Sequence, residues 1–107
     1  MALYHVTEET YEAEVENSPV PVLIDFFATW CGPCRMLSPI IEEIAAECGD
    51  RFRVVKVDVD EAPGLASRFG ITSIPTLVVV KDKKPVRQAL GYMPKDQVLA
   101  LLEDETK

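Results

Sequence analysis

Apolar residues run almost unbroken from Val20 to Ala28, interrupted only by Asp25. A strand covered on both faces gives such a run, whereas a half-exposed strand alternates. Pro21 fits only near the strand's start, because it has no N–H for the ladder. Further on, Leu37, Ile40, Ile41, Ile44, Ala45 and Cys48 fall at offsets 0, 3, 4, 7, 8 and 11, one face of a helix. Glu42, Glu43 and Glu47 take the opposite face. Gly49 follows as a stop, and Pro39 inside the helix is expected to kink it. The valine-rich stretch Phe52 to Val59 predicts a second buried strand. Pro63 to Phe69 predicts a short helix closed by Gly70. Thr76 to Val80 reads as a strand with Val86 to Leu90 as its hairpin partner. Pro94 opens a last helix with Val98, Leu101 and Leu102 inward. Upstream, Thr7 is placed to cap a short acidic helix from Glu8 to about Glu16, broken by Asn17, Ser18 and Pro19. The turn Asp82-Lys83-Lys84-Pro85 lacks the glycine that favours a two-residue hairpin loop. Strands alternating with helices predict a parallel unit, and the late hairpin adds an antiparallel edge. The expected fold is α/β, a mixed sheet with helices on both faces.

Composition narrows this picture. The chain has 107 residues, about one domain's length, read as a single domain over 1–107. It is 48% hydrophobic and 27% charged, a globular profile. A net charge of −7 argues against nucleic acid and anionic membrane surfaces as partners. No apolar stretch approaches the ~18 residues of a membrane span. The run Met1 to His5 lacks the basic and apolar regions of a signal peptide.

Three cysteines, Cys31, Cys34 and Cys48, make a poor structural disulfide framework, and the two-residue spacing of the first pair points to redox or metal chemistry. A reducing compartment, the cytoplasm, fits best. Cys31 and Cys34 lie where a strand hands over to a helix. Residues i and i+3 of a first helical turn share a face, with Cα atoms ~5–6 Å apart, suited to a disulfide. The free N–H groups and the helix dipole stabilise a thiolate there. Cys31, further out on the loop, is therefore expected to attack. Cys34, deeper in the turn, is expected to be more buried and to resolve the mixed disulfide. Structural zinc needs four ligands. Besides this pair the chain offers only Cys48 and His5, and Cys48 sits ~20 Å further along the same helix. No metal is expected.

Asp25 is the second anomaly, since a carboxylate inside a buried strand is costly unless paired or neutral. Desolvation is expected to raise its pKa. Two readings stand side by side: proton transfer with Cys34, directly or through water, or a buried ion pair, with Lys56 of the neighbouring strand as candidate partner. Trp30 either shields the cysteines and offers a contact surface, or packs as a core aromatic. Cys48, on the apolar helix face, reads as core. His5 is expected to have no chemical role.

The segment Asp25-Phe26-Phe27-Ala28-Thr29-Trp30-Cys31-Gly32-Pro33-Cys34-Arg35 resembles the active-site segment of the thioredoxin family. Pro39 resembles the family's helix-kinking proline. Lys56 and Asp58 resemble its lysine-bearing strand, Asp60 to Gly64 its approach to the third helix, and Gly70 to Thr76 its cis-proline segment. The resemblance implies a central five-stranded mixed sheet flanked by four helices, in the order β-α-β-α-β-α-β-β-α. It implies a monomeric reductase of protein disulfides with no bound cofactor, re-reduced by thioredoxin reductase, a flavoenzyme using NADPH. Cys31 would be the nucleophile and Cys34 the resolving thiol. Asp25 would assist proton transfer with Lys56 nearby, and Pro75 would follow a cis bond. The substrate groove would be formed by Trp30, Val59, Ser73, Ile74, Leu90 and Gly91, beside Gly32 and Pro33 of the active-site turn. No histidine lies between the cysteines, which favours a reductant over an oxidant. Some thioredoxin-fold proteins are instead binding modules that do not need their cysteines. Departures from the family pattern are Phe27 in place of a second tryptophan, Lys83 in place of a turn glycine, Thr72-Ser73 before Ile-Pro, and Tyr92 in place of alanine.

Overall fold

The computed structural model describes residues 3–103 and 105, so Met1 and Ala2 of the N-terminal run lie outside it. Five strands form one sheet: β1 (Tyr4–His5), β2 (Val22–Phe27), β3 (Arg53–Asp58), β4 (Thr76–Lys81) and β5 (Lys84–Leu90). Three α-helices accompany them: α1 (Gly32–Glu47), α2 (Pro63–Arg68) and α3 (Lys95–Glu103). The spatial order is β1-β3-β2-β4-β5. β3 runs parallel to β1 and β2, while β4 runs antiparallel to both β2 and β5. This is the mixed five-stranded architecture that the resemblance implies.

The alternation of β2 divides the core. Leu23 joins Leu37, Ile41, Ile44, Val54, Leu77, Val79, Val98 and Leu102 beneath α1 and α3. Val22, Ile24 and Phe26 join Val6, Tyr11, Val15, Val55, Val57, Leu65 and Val78 on the other side. Each fully buried aliphatic or aromatic side chain contributes on the order of 1.5–3 kcal/mol. Both layers therefore hang on β2, the central strand of the five, covered on both faces. Between the helices on one side, Lys95 pairs with Glu43 and Glu47, tying α3 to α1.

The first helix differs from its expectation. Its regular part is a five-residue π-helix, Glu12–Glu16, closed by a hydrogen bond from Asn17 N–H to the Glu12 carbonyl. Thr7 does not cap it. The Thr10 hydroxyl oxygen instead accepts from Thr7 N–H at 3.0 Å, making a separate turn. The segment Glu8 to Glu16 anchors only Tyr11 and Val15 in the core, so it follows the packing of those two side chains. The longer helix begins earlier than the apolar period suggests, at Gly32, and runs through Pro39 to end before Gly49 (φ +59°).

The hairpin supplies the other difference. β4 and β5 are joined by only Asp82 and Lys83, both left-handed at φ +53° and +72°. Such a turn matches the twist of the strands but suits glycine best. Val79 faces Arg87 while Val80 faces Pro85, so Val86 is an extra residue in β5. That bulge lets Pro85, which has no N–H, sit in the strand. Lys83→Gly removes a left-handed cost of ~1–2 kcal/mol and loses ~0.5–1 kcal/mol to backbone entropy. The net gain expected is about 0.5–1 kcal/mol, checked by urea unfolding, with redox activity unchanged.

Candidate active site

β2 ends at Phe27, and Ala28 to Trp30 carry the chain over the sheet edge to α1. Cys31 takes the N-cap position with extended backbone (φ −89°, ψ 115°). Gly32 and Pro33 fill the first two helical positions, and Pro33 has no N–H to satisfy. The Cys34 N–H is thus turned onto Cys31 Sγ at 3.2 Å. The two cysteines form a disulfide with Cα atoms 5.2 Å apart. Their exposure is nearly equal, 5% for Cys31 and 4% for Cys34. The expected contrast in burial is absent because Ile74 and Val59 cover the pair along with Ala28 and Phe27.

The segment facing the cysteines is fixed by its own hydrogen bonds. The Ile74–Pro75 bond is cis, and the Ile74 carbonyl oxygen lies 3.8 Å from Cys31 Sγ. Thr76 Oγ1 donates to the Ser73 carbonyl at 2.6 Å. Gly91 N–H (φ +87°) donates to the Pro75 carbonyl at 2.8 Å. Beside this turn lies a cleft of about 160 Å³ walled by Trp30, Val59, Ile71, Thr72, Ser73 and Ile74. Trp30 is 66% exposed, so it is not a core aromatic. Its indole N–H donates to Asp60 Oδ2 at 2.7 Å, which fixes the ring as one wall. Exposed Leu90 and half-buried Gly91 stand outside that cleft, on the Pro75 carbonyl side. Gly32 and Pro33 lie on the helix turn, Pro33 exposed.

Asp25 faces the α1 side of the sheet, between Lys56 of β3 and Leu77 of β4 in the ladder. It is 1% exposed, and its Oδ1 is buried without a hydrogen-bond partner. Burial pushes its pKa up from 3.8 to about 6, and the Lys56 charge pulls the other way. Lys56 lies opposite Asp25 but does not close an ion pair with it. Its ammonium donates to Ser38 Oγ at 3.0 Å and sits 4.4 Å from the centre of the Phe27 ring. A second cleft, about 240 Å³, is lined by Phe27, Ala28, Thr29, Cys34, Arg35, Ser38 and Lys56. It gives solvent a way in between the second cysteine and the lysine.

Several contacts escape sequence reasoning. Asp60 meets Trp30 across thirty positions of chain, and nothing local marks the pair. Ser38 had a signal: it sits one turn beyond Cys34, a polar residue beside the apolar stripe. Cys48 is buried core, its thiol directed to the Ala45 carbonyl. His5 stacks edge-on against Phe27 at 5.9 Å. Among the described residues, no group of three or more His, Cys, Asp or Glu side chains is placed to hold a metal.

A disulfide at a helix N-terminus, a facing cis-proline and an apolar cleft beside them define a thiol–disulfide oxidoreductase. The profile of the thioredoxin family matches residues 2–104. Thioredoxin 1 of Synechococcus elongatus is 48% identical over 98 residues, 92% of each chain. Thioredoxin 1 of a Nostoc species is 47% identical over 102 residues, 95% of each. Thioredoxin of Alicyclobacillus acidocaldarius is 46% identical over 99 residues, 92% of this chain and 93% of that one. The chain belongs to the thioredoxin family, and its activity is that of a protein-disulfide reductase working through the Cys31–Cys34 pair.

The raised Asp25 pKa has a consequence for stability. The folded protein holds this proton more tightly than the unfolded chain. Stability therefore falls as pH rises from about 4 to about 6, and the loss is complete above that window. Asp25→Asn is expected to raise unfolding free energy by on the order of 2–3 kcal/mol at pH 8, with the gain fading toward pH 4. Urea unfolding of the oxidised protein across pH checks it; a pH-independent gain contradicts it.

Proposed function

We propose that Cys31 is the nucleophile that opens a substrate disulfide and Cys34 the thiol that releases the product. The observation that carries this reading is the N-cap position of Cys31, whose sulfur receives the Cys34 N–H at 3.2 Å. In the reduced protein the same donor and the helix dipole stabilise negative charge on that sulfur. The thiolate attacks one substrate sulfur and expels the other as a thiolate, giving a mixed disulfide. Cys34 gives up its proton and attacks Cys31 Sγ. The second substrate sulfur leaves, and two electrons have passed from the dithiol to the substrate. Asp25 takes the Cys34 proton, a role supported by its burial and elevated pKa. Lys56 moderates that carboxyl from the adjacent strand. Pro75 and the Ser73–Ile74 backbone present the substrate chain to Cys31, and Trp30, Val59, Leu90 and Gly91 complete the contact surface beside Gly32 and Pro33.

The redox group on this reading is the disulfide itself, with no bound cofactor. Restoring the dithiol needs an external two-electron donor, which we read as the NADPH-dependent flavoenzyme thioredoxin reductase. The family assignment supports that partner, as it supports a role as electron donor to reductive enzymes. Buried, unpaired Cys48 supports a reducing compartment, the cytoplasm. One sheet spanning Tyr4 to Leu90 supports a single domain over 1–107, and the family assignment supports a monomer.

Cys31→Ser is expected to abolish insulin-disulfide reduction driven by dithiothreitol. Cys34→Ser is expected to accumulate a covalent adduct with an oxidised protein substrate, visible on a non-reducing gel and released by dithiothreitol. Adduct formation by Cys31→Ser instead would reverse the two roles.

A further inference from the structure

Lys56 has a buried carboxylate opposite it in the ladder and bonds elsewhere. It lies directly across from Asp25 in the parallel β2–β3 pair, on the same face. An ammonium and a carboxylate held in one buried layer attract strongly. Yet the Lys56 ammonium donates to Ser38 Oγ at 3.0 Å, and the Ser38 hydroxyl donates onward to Glu42 Oε2 at 3.2 Å. The Phe27 ring supports the ammonium from a second direction, 4.4 Å from its centre. Asp25 Oδ1 is left with no partner. Ser38 is one helical turn past Cys34, so the atom that captures the lysine belongs to the helix that carries the cysteines.

We propose that Ser38, backed by Glu42, is a positioning residue that anchors the Lys56 ammonium to α1 and so withholds it from Asp25, leaving that carboxyl free to accept a proton. The inference rests on the proposed proton role of Asp25 and specifies what regulates it. Lys56 is the charged group facing Asp25 from β3. α1 contributes the Cys31–Cys34 pair and Ser38, with Glu42 behind it. β4 contributes apolar Leu77, and the buried side chains of α3 in this layer are the apolar Val98 and Leu102, with Leu99 and Leu101 packed against them. Arg35, further along the cleft, is engaged by the Thr29 carbonyl at 2.9 Å. His5 lies beyond the Phe27 ring. With so few charges present, where Lys56 points sets the field at Asp25.

The test is a carbon-13 NMR titration of the Asp25 side-chain carboxyl in the oxidised protein. In Ser38→Ala/Glu42→Gln, the hydroxyl that accepts from the ammonium and the carboxylate that backs it are both gone. The Asp25 acid dissociation constant is then expected to rise about tenfold, the lower end of the effect of a close opposite charge. Ser38→Thr keeps a hydroxyl and is expected to titrate as the parent protein does. In a Lys56→Met background, removing Ser38 and Glu42 is expected to change nothing. An Asp25 titration unaltered in the double variant, or altered equally without Lys56, overturns the proposal. The pH profile of dithiol oxidation separates the two layers of the argument. A moved carboxyl titration with an unmoved rate profile upholds the anchor and overturns the proton role of Asp25.

Discussion

Strand β2 is hydrogen-bonded along both edges and packed on both faces, so nothing from Val22 to Phe26 reaches water. Four of those five residues are apolar and supply the two halves of the core. The fifth is Asp25. A chain that buries this strand therefore buries a carboxylate, and it does so at a fixed distance from the loop that the strand feeds. The same covered strand sets where α1 begins, because the chain must leave the sheet edge within Ala28 to Trp30 and turn back over Leu23. The disulfide, the helix start and the proton-holding group share one origin in that strand.

Around this centre the chemistry is built from weak charges placed with care for direction. One main-chain N–H addresses Cys31 Sγ, and one lysine stands opposite the carboxylate but points to a serine. Burial and not an opposing charge dominates Asp25, which is why its carboxyl is raised and not lowered. A closed ion pair in the same place would have fixed the charge on Asp25 and made it a poor proton acceptor near neutral pH.

Much of this was legible in the sequence where local pattern and long-range packing agree. The apolar run broken only by Asp25 gave β2, the 3–4 spacing gave α1, and the valine-rich stretch gave β3. Misreadings fell where one side chain overrode a local rule. Tyr11 and Val15 drew the acidic segment into a π-helix, so Thr7 never became a cap. At the hairpin, Asp82 and Lys83 accept left-handed backbone because strand pairing on either side leaves no room for a longer loop. At the site, Asp25 and the cysteines were marked by type and position, and Lys56 was marked as a candidate partner on the neighbouring strand. The direction of the lysine did not, because it depends on a rotamer and on Ser38, eighteen residues away. Equal burial of the two cysteines was hidden for a similar reason: the cover comes from Ile74, more than forty positions on.

The bulge and Pro85 in β5 also bear on how this molecule meets other chains. An open sheet has two rims with unpaired backbone groups, and such rims invite a stranger's strand to zip on. Here one rim is only two residues long. The other carries Lys84, a proline without an N–H, and a break in register. A reductase of proteins spends its working life against exposed segments of other polypeptides. With both rims blunted, those segments find little purchase along the sheet, and lasting attachment is confined to the sulfur chemistry at its end.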